Sequence, residues 1–435
     1  MPILKTISRQ LIKITEFGIW KPLLNRDFRL LWFSETLSFL GDRIHFIAII
    51  WLTYEVFESG FAMATVLAVS SIPRSVFMLV GGAISDWWSP KKIALYSNLI
   101  RAVLLVVFII LINTEVVSLG MLYVFAVIFG FIGAFSYPAF MSLIPMTTNR
   151  KNLEAANGLM QGSSRFCGMV GPAIAGLIVA TFGASVAFSI DAATFAIGAA
   201  ALSLIRVRHQ DTECTNQDEV RTVRAVFRDI RTGILFVWRD PFLRAVLLVV
   251  FVLNFSMSGP FIIGLATLSN TVFDSGALNF GILLAAYSGS GLAGMFIAGS
   301  AKRFKTRSII LFAVPAIVGL GMISLGLNHD VVFFLLVIAI MGIVMAYGNV
   351  VVFAWIQRVV PSDIIGRVMS LIMVASVGLE PVSYAIAGMF VDQHVELVFI
   401  VSGAMIASIA VILLANGTIM SLYKAEQEVT FDASD

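Results

Sequence analysis

Apolar positions along this chain run in long unbroken blocks, not in the alternation of a half-buried strand or the narrow stripe of a surface helix. Cut at turn residues and charge runs, the blocks are 29–54, 61–84, 93–113, 119–145, 157–181, 184–205, 241–268, 277–300, 308–327, 331–357, 366–391 and 395–416. A helix needs about 20 predominantly apolar residues to cross a bilayer, and every block is long and apolar enough. The pattern predicts an all-α membrane protein of twelve transmembrane helices. The long polar connection 206–240 divides the spans six and six. Expected domains are therefore a cytoplasmic segment 1–28, a six-helix bundle 29–205, a linker 206–240, a second six-helix bundle 241–416 and a cytoplasmic tail 417–435. Within the linker, Val223, Phe227, Ile230, Ile234 and Val237 form an apolar stripe opposite Arg221, Arg224, Arg228 and Arg231, which predicts a surface-lying helix whose partner is membrane lipid, not nucleic acid.

Composition agrees with a bilayer as the main solvent. Of 435 residues, 59% are hydrophobic and 13% charged, where a soluble domain carries roughly a quarter charged residues. The first residues lack the compact apolar stretch and small-residue cleavage site of a removable leader, so the first span is expected to direct insertion. Charge then sets orientation. Lys91 and Lys92, Arg150 and Lys151, the seven Arg from Arg206 to Arg239, and Lys302 to Arg307 all fall on the side of the N-terminus. The opposite loops contain no Lys or Arg and carry Glu55, Glu58, Glu115, Asp274, Asp330, Asp392 and Glu396. Basic residues near span ends are retained inside, so both termini are expected in the cytoplasm. Cys167 lies within a span and Cys214 in a cytoplasmic connection, so no disulfide is expected, and four scattered His offer no metal site. No cofactor and no phosphate-binding loop of a nucleotide-driven motor is read from the sequence.

The exceptions to the apolar pattern are the candidate chemistry. On the first span Glu35, Ser38, Asp42 and His45 form a polar stripe down one helix face. At about 1.5 Å per residue, Asp42, Arg74 and Glu380 fall roughly 18 to 21 Å from the inner ends, with Arg43 and Asp191 near the same level. A second layer is expected nearer the cytoplasm, with Glu35, Arg101 and Arg165. A charge at mid-span costs on the order of 3 kcal/mol to insert, so these groups should face the bundle interior. Each has two readings: a fixed ion pair that positions helices, or a group whose neighbours change during a conformational cycle. Gly171-Pro172 with Gly176 on the fifth span reads as a packing or kink feature.

Several stretches together resemble the major facilitator superfamily. They are Asn25 to Arg29 leading into Leu40-Gly41-Asp42-Arg43, the connection Gly82 to Lys92, Gly171 to Gly176, and Ser189 to Ala192 with Thr194-Phe195; weaker support comes from Gly366-Arg367-Val368 and Ala387-Gly388. The branch most resembled holds macrolide-efflux proteins and the enterobactin exporter. Two positions depart from the family pattern: Trp87 stands where an Arg is usual and Ser89 where a Gly is usual. The resemblance implies two pseudo-symmetric bundles and alternating access around a cavity lined by spans 1, 4, 7 and 10, with Phe39, Tyr137, Asn254, Phe255, Tyr347 and Asn349 as candidate lining residues. It implies a gating latch in which Asp86, with Gly82, Lys91 and Lys92, holds the start of the eleventh span near Arg367. Asp42 is the leading candidate proton carrier, with Arg74 its expected partner and Glu380 next in line.

The function expected is proton-coupled export of a small amphipathic compound by a monomer in a bacterial plasma membrane. The alternatives are proton-coupled uptake of a nutrient or metabolite, and a non-transporting sensor or enzyme. Enzymatic chemistry would need a convergent nucleophile, base or metal constellation, and none is read here.

Overall fold

A long apolar segment in lipid must satisfy its backbone internally, and the helix is the local way to do so. The computed structural model describes residues 18–85, 89–114, 116–206, 237–238, 240–273, 276–300, 309–360 and 364–415, with the backbone alone for 78–85, 366, 367 and 370. Among them are ten helical stretches long and apolar enough to cross a membrane. Two of these, Arg150–Ser203 and Leu371–Ala415, each break once, at Gly183 (φ 81°, ψ 169°) and at His394 (φ −148°, ψ 60°). Twelve spanning helices result, as the hydropathy blocks predict.

In chain order, α1 is Arg26–Phe57, preceded by a short 3-10 turn, Gly18–Leu24; α2 is Gly60–Ser85, α3 Pro90–Asn113 and α4 Leu119–Thr147. Leu153–Ser203 holds α5 and α6 on either side of Gly183. Helix α7 runs as Pro241–Ser256, a π turn Met257–Phe261 and Ile262–Thr271. Then follow α8 (Gly276–Ser300), α9 (Ile310–Leu327) and α10 (Val331–Val359). Helix α11 begins as Ile365–Val377 and continues into Glu380–Ala415, whose part beyond His394 is α12.

Helix ends are satisfied by side chains that the sequence places there. Asp240 accepts hydrogen bonds from Phe242 N (2.8 Å) and Leu243 N (3.2 Å), with Pro241 at the first helical position of α7. Asp330 accepts from Phe333 N at the start of α10 (2.7 Å), and Ser118 from Met121 N at the start of α4 (3.3 Å). Each such cap contributes about 1 kcal/mol. At the other end of α6, Lys91 Nζ donates to the carbonyls of Ser203 (3.0 Å) and Ile205 (2.6 Å), a cation where the helix dipole is negative.

The described residues fall in two compact units. One takes its described residues from 1–49 and 72–218, the other from 50–71 and 219–435. In the first, Phe28, Leu31, Ala94, Phe140, Leu143, Leu159, Met160 and Leu202 form a core. In the second, Phe242, Leu243, Val246, Leu311, Trp355, Ile356, Val368 and Ile372 do so, with the Phe242 and Trp355 rings 3.9 Å apart. Lipid is as apolar as these side chains, so close packing, not the hydrophobic effect, joins the helices. The surface-lying helix expected in the 206–240 linker and the latch residue Asp86 lie outside the described residues.

A buried charge and aromatic cluster

Helix α1 presents its polar stripe to α3, α4 and α6 within the first unit. Asp42 Oδ1 lies 3.6 Å from Arg101 Nη1 of α3, with the Asp42 side chain 49% accessible and that of Arg101 only 10%. Arg101 Nη2 also donates to Ser136 Oγ of α4 at 3.3 Å. Its guanidinium lies 5.1 Å from the ring centre of Phe195 and 5.7 Å from that of Phe129. A delocalised, weakly hydrated cation is suited to such stacking, so a buried Arg is held there by one carboxylate, one hydroxyl and two ring faces. Glu35, two turns earlier on α1, is within Coulombic reach of both Asp42 and Arg101. Sequence depth assigned Arg101 to a separate layer nearer the cytoplasm and expected Arg74 as the partner of Asp42; the ion pair found for Asp42 is with Arg101. The reason is lateral: depth counts residues along one axis and says nothing of which helix is the neighbour.

One turn on, His45 Nδ1 lies 3.2 Å from Asp191 Oδ2 of α6, whose side chain is fully buried. The approach lacks hydrogen-bond alignment. Thr194 Oγ1 donates to the Asp191 carbonyl at 2.8 Å and sits 3.4 Å from Asp191 Oδ1. A Cβ at Gly41 would collide with Thr194 Oγ1 and Asp191 Oδ1, so only glycine lets α1 lie this close to α6. The His45 ring stacks on Phe129 (centroids 4.5 Å, 5° between planes), with Phe125 at 5.9 Å and Phe188 edge-on at 5.5 Å. The sequence places His45 on the polar stripe, but its partner is 146 residues away in Asp191, a separation no local pattern spans.

The other candidates are dispersed. Arg43 is exposed, and its stem packs against Gly171, where a Cβ would come within 2.7 Å; Pro172 and Gly176 are buried nearby on α5. Arg74 is exposed on α2 and Gly82 lies in its last turns. Lys91 is occupied with the end of α6, while Lys92 is exposed. Phe39 packs edge-on against Phe140 (6.4 Å), and Tyr137 and Asn349 are exposed. Tyr347 is half-buried on α10. Arg367 is placed by its backbone in the first turn of α11, and Glu380 opens its second segment, half-buried.

In the second unit, Asn254 Nδ2 donates to its own helix at Val250 O (2.8 Å). Phe255 contributes its carbonyl more than its ring. Ser383 Oγ of α11 donates to Phe255 O and accepts from Gly259 N at 2.8 Å. These are the two groups that an uninterrupted α-helix would join directly, so a side chain of α11 is inserted in the α7 ladder, next to Pro260, which has no N–H to give.

Twelve membrane-spanning helices among the described residues, with charged side chains packed among them, are the architecture of a multi-pass membrane protein, and comparison with known proteins agrees. The Major Facilitator Superfamily model matches residues 31–379, and the chain belongs to that family. The multidrug efflux pump Tap of Mycolicibacterium fortuitum is 24% identical over 376 residues, covering 83% of this chain and 88% of the pump. An uncharacterized transporter of the same type, YfiS of Bacillus subtilis (strain 168), is 24% identical over 405 residues, covering 88% of this chain and 91% of that protein. Among solved structures, the nucleoside transporter NupG superposes with a TM-score of 0.68 at 14% identity over 89% of this chain and 99% of that one. A bacterial homologue of the iron transporter ferroportin in an inward-facing state gives 0.66 at 14% identity, over 89% and 98%. At such identities the structures establish the fold. The chain is thus an integral multi-pass membrane protein of a transporter family.

Proposed function

We propose that this protein exports a small amphipathic compound in exchange for protons, by alternating access, in a bacterial plasma membrane with both termini cytoplasmic. The observation that carries the coupling is the Asp42–Arg101 pair: an accessible carboxylate against a nine-tenths buried guanidinium. Two conformations that differ in whether this pair is closed differ in the charge beside the carboxylate, which is the physical requirement for coupling proton movement to the cycle. Arg101 stays attached through Ser136 and the two rings, so Asp42 is the member free to change partners. The relative named as a multidrug efflux pump supports export over uptake. Efflux of a chemically varied panel from cells expressing the protein, with and without a protonophore, tests the proposal. Expression should lower accumulation of at least one amphipathic compound, and the protonophore should abolish that difference. Accumulation raised by expression would establish uptake instead.

A further inference from the structure

The connection between α1 and α2 is closed by a residue from the far end of the chain. Helix α2 begins at Gly60, and its first N–H groups have no partners inside the helix. Ser59 Oγ accepts from Ala62 N at 3.2 Å. The next two donors are taken by Asp392 of α11: Gly60 N donates to Oδ1 (2.5 Å) and Phe61 N to Oδ2 (3.1 Å). Ser59 Oγ donates to Oδ2 as well, at 2.8 Å. A carboxylate of one helix therefore completes the positive terminus of another, 332 residues earlier. The fit is close. A Cβ at Gly60 would come within 2.7 Å of Asp392 Oδ1 and 2.9 Å of Thr267 Oγ1 of α7, and one at Gly388 would run into Ala64 of α2. Residues 50–71 accordingly belong to the same compact unit as α7 to α12.

We infer that Asp392 is a latch for the end of the molecule that the basic residues assign to the outside, holding α2 against α11 and α7 while that end is closed. The inference rests on the alternating-access reading, in which this seam must part in every cycle. Three hydrogen bonds to one carboxylate are lost together when it parts, and each can be replaced by water, so the contact can open without burying an unsatisfied group.

The test uses the full chain in lipid nanodiscs, without substrate or gradient, so that it is independent of what is transported and in which direction. With Cys167→Ser and Cys214→Ser as background, Thr267→Cys, buried beneath the seam, reports opening through its maleimide labelling rate; Ser402→Cys, buried within α12, reports unfolding. Asp392→Ala should raise labelling at position 267 about fivefold, the ratio that corresponds to the ~1 kcal/mol of a helix cap. Asp392→Asn should give an intermediate rise and Asp392→Glu should restore slow labelling, with position 402 unaffected throughout. An unchanged rate at 267 in Asp392→Ala would overturn the latch, and so would an equal rise at 402, which would make Asp392 a fold-holding cap. Normal latching with no efflux of any compound would sink the export proposal and leave the latch standing.

Discussion

Asp42 and Asp191 are two acids on neighbouring helices with opposite surroundings. Asp42 is half accessible and shares a cation that has other holds; Asp191 is sealed against His45 and Thr194. The difference assigns them different expected phenotypes. Asp42→Asn should retain insertion and substrate exchange but lose proton-driven accumulation, measured as the gradient built in proteoliposomes with an imposed pH difference. A folded Asp42→Asn that still builds the full gradient would remove it as the carrier and turn attention to Glu380. For Asp191, Ala strips a fully buried side chain of its contacts with His45 and Thr194 and leaves a void between α1 and α6, which destabilises the packing there. Asp191→Ala should therefore appear as a fall in thermal stability and in the amount of folded protein, while whatever protein folds remains proton-coupled.

Single elements carry the next level of expectation. The α5–α6 hairpin turns on Gly183 alone, at φ 81° and ψ 169°, a region essentially confined to glycine. Gly183→Ala should destabilise the protein by about 1–3 kcal/mol, readable as a lowered Tm, because the side chain forces the turn open. The connection from α2 to α3 gives a functional counterpart: Asp86→Asn should insert normally and transport poorly, since an amide cannot hold a helix terminus as an anion does. Wild-type transport by inserted Asp86→Asn would discard that latch. Span boundaries were legible in sequence because their causes are local. A run of apolar residues in lipid demands a helix, and the gap between the blocks 157–181 and 184–205 and the start of the block 241–268 fall where the helices break and begin. Partners were not legible for the same reason: Arg101 for Asp42, His45 for Asp191 and Ser383 for α7 depend on which faces of which helices meet. A Gly-Asp in one span and an Asp-Ala-Ala-Thr in another do not reveal that Gly41 exists to admit Asp191.

For the whole molecule, the expectation is topological. Under the orientation proposed from the basic residues, a Cys placed at Ser421 should resist an impermeant reagent in intact cells and react once the membrane is opened. Labelling from outside would overturn the orientation. Within the second unit, the Ser383 hydroxyl seated between Phe255 and Gly259 has a mechanical meaning. A helix resists bending through its own rungs, and here one rung of α7 passes through a side chain of α11. The flexural stiffness of α7 at that point is therefore not a property of its own sequence: it is lent by a residue 124 positions further along, and α7 becomes a compliant joint whenever α11 slides away.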